Sequence, residues 1–171
     1  MADVSLKKRI WGWYFFDWAS QPYNTLLLTF IFGPYFAQTA AAQLMAGGMA
    51  ENLAKAQAQA LWGYGLTVAG ITIAILAPIL GGIADSTGRR LPWIWLFSAL
   101  YFIYGLWWTA PQDFSALWAL FFFGIGLIGM EFATIFTNSY LPSLGDRDDL
   151  GKISGTGWGF GYAGGVLALL L

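Results

Sequence analysis

The 171-residue chain is 58% hydrophobic and 19% aromatic, with only 10% charged residues and a net charge of −1. Soluble domains carry about 25% charged residues, so water is not the main solvent of this protein. With no cysteine and no histidine, disulfides, thiolate metal sites and imidazole proton relays are excluded, no cofactor signature appears, and the charge balance leaves no basic face for nucleic acid.

A short tail, residues 1–10, carries Lys7, Lys8 and Arg9. Five apolar runs follow, at 11–36, 61–84, 91–110, 114–140 and 153–171. A hydrocarbon core of about 30 Å takes about 20 apolar residues per helix, and none of the runs alternates as a barrel strand would. The expected fold is therefore an all-α integral membrane bundle of about five transmembrane helices.

The first run is too long for a signal-peptide core and holds an acid. Asp17, Ser20, Gln21 and Asn24 fall at i, i+3, i+4 and i+7, which places them on one helix face as a polar stripe. Pro22 sits inside that stripe as an expected bend, with further weak points at Gly33-Pro34 and Pro78. Residues 39–59 form the one long outer connection, and ENLAKAQAQALW within it consists of good helix formers that should prolong the second span as an exposed helix.

The fourth run repeats the polar spacing with Glu131, Thr134 and Asn138. At 1.5 Å per residue, Asp17 lies about 9 Å in from Trp11 and Glu131 about 13 Å in from Tyr140, at comparable depth. An ionised carboxylate facing lipid costs at least about 2.5–3.5 kcal/mol, so both stripes should face a bundle interior or a watered cavity. Partial removal from water favours the protonated form of a carboxyl group, which makes proton exchange feasible chemistry there. An interhelical hydrogen bond or a cap to an interface tryptophan or backbone amide is the structural alternative for either acid.

The last run is dense in glycine, with small-residue pairs at 155/159, 157/161 and 161/165. Lipid gives no hydrophobic drive for helix association, so such pairs signal close backbone packing. The second run, with Gly63, Gly65, Gly70, Gly81 and Gly82, offers a matching face. The chain stops at LALLL with no polar cap, as expected of a piece of a longer protein.

Lys and Arg in the connections set orientation. The tail holds three, the loop after Asp85 two (Arg89, Arg90) and the loop after Leu141 two (Arg147, Lys152), against Lys55 alone on the alternate side. Seven against one places the N-terminus in the cytoplasm, and the Trp pairs 11/13, 93/95 and 107/108 fall near predicted interfaces. Residues 145–154 superficially suggest a phosphate-binding or calcium loop. The glycine spacing fails the first and Leu150 and Gly157 fail the second, leaving a solvated cytoplasmic turn.

GGIADSTGRR, residues 81–90, places Gly81, Asp85, Gly88, Arg89 and Arg90 between the second and third runs. This block closely resembles the signature loop of the major facilitator superfamily, departing at Ser86 where a basic residue is usual. KKRIWGWYFFDWASQPYNTLLLTFIFGPYF and GKISGTGWGFGYAGG, in the same order along the chain, narrow the resemblance to the branch of the fungal vacuolar amino-acid effluxers and their bacterial relatives. Many relatives carry Asn-Ser where this chain has Ser20-Gln21-Pro22.

The resemblance implies twelve or so spans in two six-helix halves, with this chain supplying most of the first half and helices one and four lining the central path. It implies a secondary transporter of a small solute, such as an amino acid leaving by efflux, working by alternating access, with a bacterial member sitting in the plasma membrane. Asp17, Gln21, Asn24, Glu131, Thr134 and Asn138 would then line the path for substrate or coupling ion, protons included. Gly81, Asp85, Gly88, Arg89 and Arg90 would form a cytoplasmic gating loop rather than ligands. Two other readings stay open: a non-transporting scaffold or assembly subunit, and a half-transporter completed by the missing C-terminal half or a second copy. Nothing in the residues specifies an enzyme.

Overall fold

Where water is scarce the backbone must satisfy its own N–H and C=O groups, and this chain does so with helices. The computed structural model describes residues 4–108 and 115–171, and of 102–108 the backbone alone. The expected end of the third run, the start of the fourth and the side chains of Trp107 and Trp108 lie outside the described residues.

Among the described residues six α-helices follow in order: α1 (Leu6–Pro22), α2 (Phe32–Ala46), α3 (Glu51–Thr87), α4 (Leu91–Trp108), α5 (Ala116–Asn138) and α6 (Arg147–Leu170). A π-helical segment, Tyr23–Phe30, joins α1 to α2, and a short 3-10 turn, Leu141–Ser143, precedes α6. No strand occurs among the described residues, and the all-α expectation holds. Three helical segments, Leu6–Ala46, Glu51–Thr87 and Ala116–Ser143, are long and apolar enough to cross a membrane. At 24 residues α6 is about 36 Å long, but its charged first turn and its glycines lower its mean hydropathy.

Residues 39–59, expected as a long connection, are mostly helix, with only Gly47–Ala50 between α2 and α3. ENLAKAQAQALW does prolong the second span, yet the extension is not wholly exposed. Ala54 and Ala58 are fully buried, Ala58 in the cluster that also holds Ala40 and Ala41 of α2. Pro34 falls in the first turn of α2, where a missing N–H leaves no gap in the helix ladder.

Helix α1 packs chiefly on α6, α4 on α5, and α3 on both α2 and α5. One core is aromatic, with Phe32 and Phe36 of α2 and Phe123 of α5 each in ring contact with Trp62 of α3. A second joins Phe97 of α4 to Phe132 and Phe136 of α5, ring centroids 4.8 and 5.8 Å apart. The outer face of α3 is apolar and uncovered, with Tyr64, Val68, Ile71, Ile75 and Ile79 each more than half exposed. That distribution fits a helix whose outer solvent is lipid.

The glycines of α6 mediate close packing, but the partner differs from the expected second span. Gly157, Gly161, Gly164 and Gly165 are buried on α1 and the π segment, whereas Gly63, Gly70, Gly81 and Gly82 of α3 face open space. A methyl group at Gly157 would run into the Trp13 ring, one at Gly161 into the Asp17 carboxylate, and one at Gly164 would stand 2.5 Å from the Trp18 carbonyl oxygen. Gly155 and Gly159, also expected to pack, have nothing near them.

Candidate functional site

Pro22 shapes the site before any polar side chain does. It has no N–H for the Trp18 carbonyl, and the N–H of Tyr23 turns to Ser20 O instead. The freed Trp18 carbonyl lies against Gly164, whose missing Cβ allows the approach. Beyond the proline the helix widens to i→i+5 bonding, as in Ile31 N–H to Leu26 O at 2.8 Å.

The widening changes which residues share a face. α-Helical spacing puts Asp17, Ser20, Gln21 and Asn24, the second residue of the widened segment, in one line; beyond it i and i+5 stack, so Thr29 follows Asn24 and Phe30 follows Thr25. All seven line one cavity of about 460 Å³. Across it stand Glu131, Thr134 and Asn138 of α5, and Trp158 and Tyr162 of α6 close a third side. The six residues expected along the path therefore share one space.

The two stripes meet at Met130. Its buried thioether accepts the Asn24 side-chain N–H at 3.8 Å and the Thr134 hydroxyl at 3.7 Å, bridging the π-helical segment and α5. Two hydroxyls are spent locally: Ser20 donates to Asp17 O at 3.1 Å and Thr25 to Gln21 O at 2.7 Å. Asp17 and Glu131 are half-buried and neither has an ion-pair partner, since the ion pairs among the described residues are Lys55–Glu51 and Arg90–Asp85. The expected structural alternative, a cap or interhelical bond on either acid, does not form among these residues.

Thr25, Thr29, Phe30, Met130, Trp158 and Tyr162 were not anticipated. Thr25 stands one α-helical step, i+4, beyond Gln21, whereas Thr29 and Phe30 escape a reading based on 3.6-residue periodicity because they lie deep in the widened segment. Trp158 and Tyr162 carried a signal, since they stand at i and i+4 one residue along from the buried Gly157 and Gly161.

The loop at 81–90 lies apart from this cavity. Gly88 ends α3 in the left-handed conformation, φ +63°, which favours glycine. The turn delivers Arg90, rather than Arg89, to Asp85, with Nη2 2.6 Å and Nε 3.1 Å from Oδ1. Arg90 also donates from Nη1 to Ser139 O at 3.0 Å and stands over the Tyr140 ring, tying α3 and α4 to the end of α5. Gly81 faces open space, and Ser86 donates to Ile83 O. With Asp85 64% and Arg90 31% exposed, the pair is screened. A double-mutant cycle of Asp85→Asn and Arg90→Gln, read by thermal unfolding, should give a coupling below about 1 kcal/mol; a larger one would make the pair a stability element.

Comparison with known proteins adds a family. Residues 5–150 match the family described as Vacuole effluxer Atg22 like. The chain is also 29% identical over 164 residues to the Uncharacterized MFS-type transporter YxiO of Bacillus subtilis (strain 168), covering 94% of this chain and 36% of that relative. It thus spans about a third of the relative's length. No solved structure matches. With most of its length inside the family match, the chain belongs to the vacuole effluxer Atg22-like family of multi-pass membrane proteins.

Proposed function

We propose that this chain provides part of a secondary active transporter of the major facilitator type, moving a small solute by alternating access. The observation that carries the reading is the single cavity between α1, α5 and α6, which gathers two unpaired carboxylates and their flanking amides and hydroxyls from separate helices. A scaffold gains nothing from half-buried acids that make no ion pair, since each costs free energy to hold near lipid. Further segments of a full-length protein, or a second copy, would complete the far wall of the path.

In this reading the N-terminus is cytoplasmic, in keeping with the seven-to-one distribution of Lys and Arg. A bacterial member would reside in the plasma membrane. Asp17, Gln21, Asn24, Thr134 and Asn138 hold the solute, and Glu131 exchanges protons that drive it. Asp85, Gly88 and Arg90, with Gly81 and Arg89 beside them, act at the cytoplasmic face as a latch between conformations. Amino acids are the solutes of first choice, because a carboxylate with neighbouring amides suits an α-ammonium group.

The full-length protein in proteoliposomes, given a panel of labelled amino acids, should show saturable flux for at least one, stimulated by a pH gradient. Absence of saturable flux across the panel removes amino acids as solutes. Flux indifferent to the gradient removes the proton.

A further inference from the structure

Every Lys and Arg of the chain lies away from the cavity: the eight are Lys7, Lys8, Arg9, Lys55, Arg89, Arg90, Arg147 and Lys152, and none lines it. The cavity thus presents two acids and no fixed positive charge. An anion entering it would meet carboxylates with no counter-charge, at a cost that low dielectric magnifies.

The aromatic side of the cavity has its own geometry. Trp158 and Tyr162 stand one helical turn apart on α6, ring centroids 5.9 Å apart and planes at 64°, so they form a corner rather than a stack. Between them in sequence is Gly161, and the Asp17 carboxylate rests against that glycine. The glycine therefore brings the acid to the part of α6 that carries both rings. Neither ring is used in packing the helices: Trp158 is 61% and Tyr162 54% exposed, while Gly157, Gly161 and Gly164 take the contact with α1.

From these observations we infer that Asp17, Trp158 and Tyr162 form a recognition corner for an organic cation, so that the solutes of this protein carry an ammonium or quaternary ammonium group and net anions are rejected. Ring faces attract such cations through their quadrupole, and the carboxylate supplies the counter-charge. A cavity of about 460 Å³ has room for a small amine with its chain. Gln21 and Asn24 on the same wall contribute amide oxygens to ammonium N–H groups. The inference rests on the transport reading for its biological sense but not for its test.

Detergent-solubilised full-length protein is titrated with butylammonium, tetramethylammonium or butyrate while its thermal unfolding midpoint is followed. Both cations should raise the midpoint saturably and butyrate should not. Trp158→Leu and Tyr162→Leu, at largely uncovered positions that leave the fold intact, should each weaken the cation response by about fivefold or more, and Trp158→Tyr should restore most of it. Equal stabilisation by butyrate, or cation responses unchanged in both leucine variants, overturns the inference. Trp158-dependent cation binding without flux of any solute removes the transport reading and leaves the corner standing; flux of solutes irrespective of charge does the reverse.

Discussion

Gly164→Ala is expected to lower the thermal unfolding midpoint of the full-length protein in detergent, whereas Gly159→Ala, five residues earlier on the same helix, is expected to raise it. At Gly164 the new methyl would stand 2.5 Å from the Trp18 carbonyl oxygen and 2.7 Å from the Trp18 ring. A backbone carbonyl cannot swing aside as a side chain can, so α6 must move off α1, an overpacking that costs about 1–3 kcal/mol. The same carbonyl is the one left without an α-helical donor by Pro22, so it loses its close neighbour as well. Gly157→Ala, directed into the buried Trp13 ring, should fall in the same range. Gly159 faces open space; alanine there only reduces the freedom of the unfolded chain and should stabilise by about 0.5–1 kcal/mol. The opposite signs separate helix propensity from packing. A fall at Gly159 as large as that at Gly164 would show that another segment of the full-length protein covers the second face of α6.

The glycines also show where sequence reasoning stops. Their spacing in α6 reveals that a backbone can come close to something, because a missing Cβ is a property of the helix itself. It does not say to what, and the second span offered an equally glycine-rich face; the bulk that fills the notches comes instead from Trp13, Asp17, Trp18 and Thr25. The polar stripe on α1 was legible for the same local reason, since four polar residues at helical spacing need no knowledge of neighbours. It was legible as far as Asn24, the second residue of the widened segment. A proline announces a missing hydrogen bond, but whether the helix kinks, breaks or widens to a π-helix depends on how the freed groups are met. Here the widening carries Thr29 into line with Asn24, and no α-helical template finds it. The turn at Gly88 behaves likewise: the spacing of the loop was plain, while the choice of Arg90 over Arg89 for Asp85 follows from a left-handed backbone conformation.

Asp17→Asn and Glu131→Gln should fail in different ways if the two acids divide their work as proposed. Asp17 lies beside the aromatic corner, so replacing it with a neutral isostere removes a charge-assisted contact worth about 1.5–3 kcal/mol, which corresponds to a loss of about 10- to 100-fold in apparent solute affinity. That loss should appear in solute counterflow, where no gradient is needed. Glu131 stands on the facing helix with Thr134 and Asn138, and its assigned task is to take and release a proton. An amide keeps the shape and cannot titrate, so Glu131→Gln should retain counterflow within a few fold and lose the response to a pH gradient. Tyr162 and Asp17 are the other titratable groups on the cavity wall among the described residues. A gradient response that survives Glu131→Gln but disappears in Asp17→Asn moves the proton to Asp17, and one that survives both removes the carboxylates from coupling. Counterflow unchanged in Asp17→Asn would remove the Asp17 carboxylate from solute binding and leave the amides, hydroxyls and rings of the cavity to hold the solute.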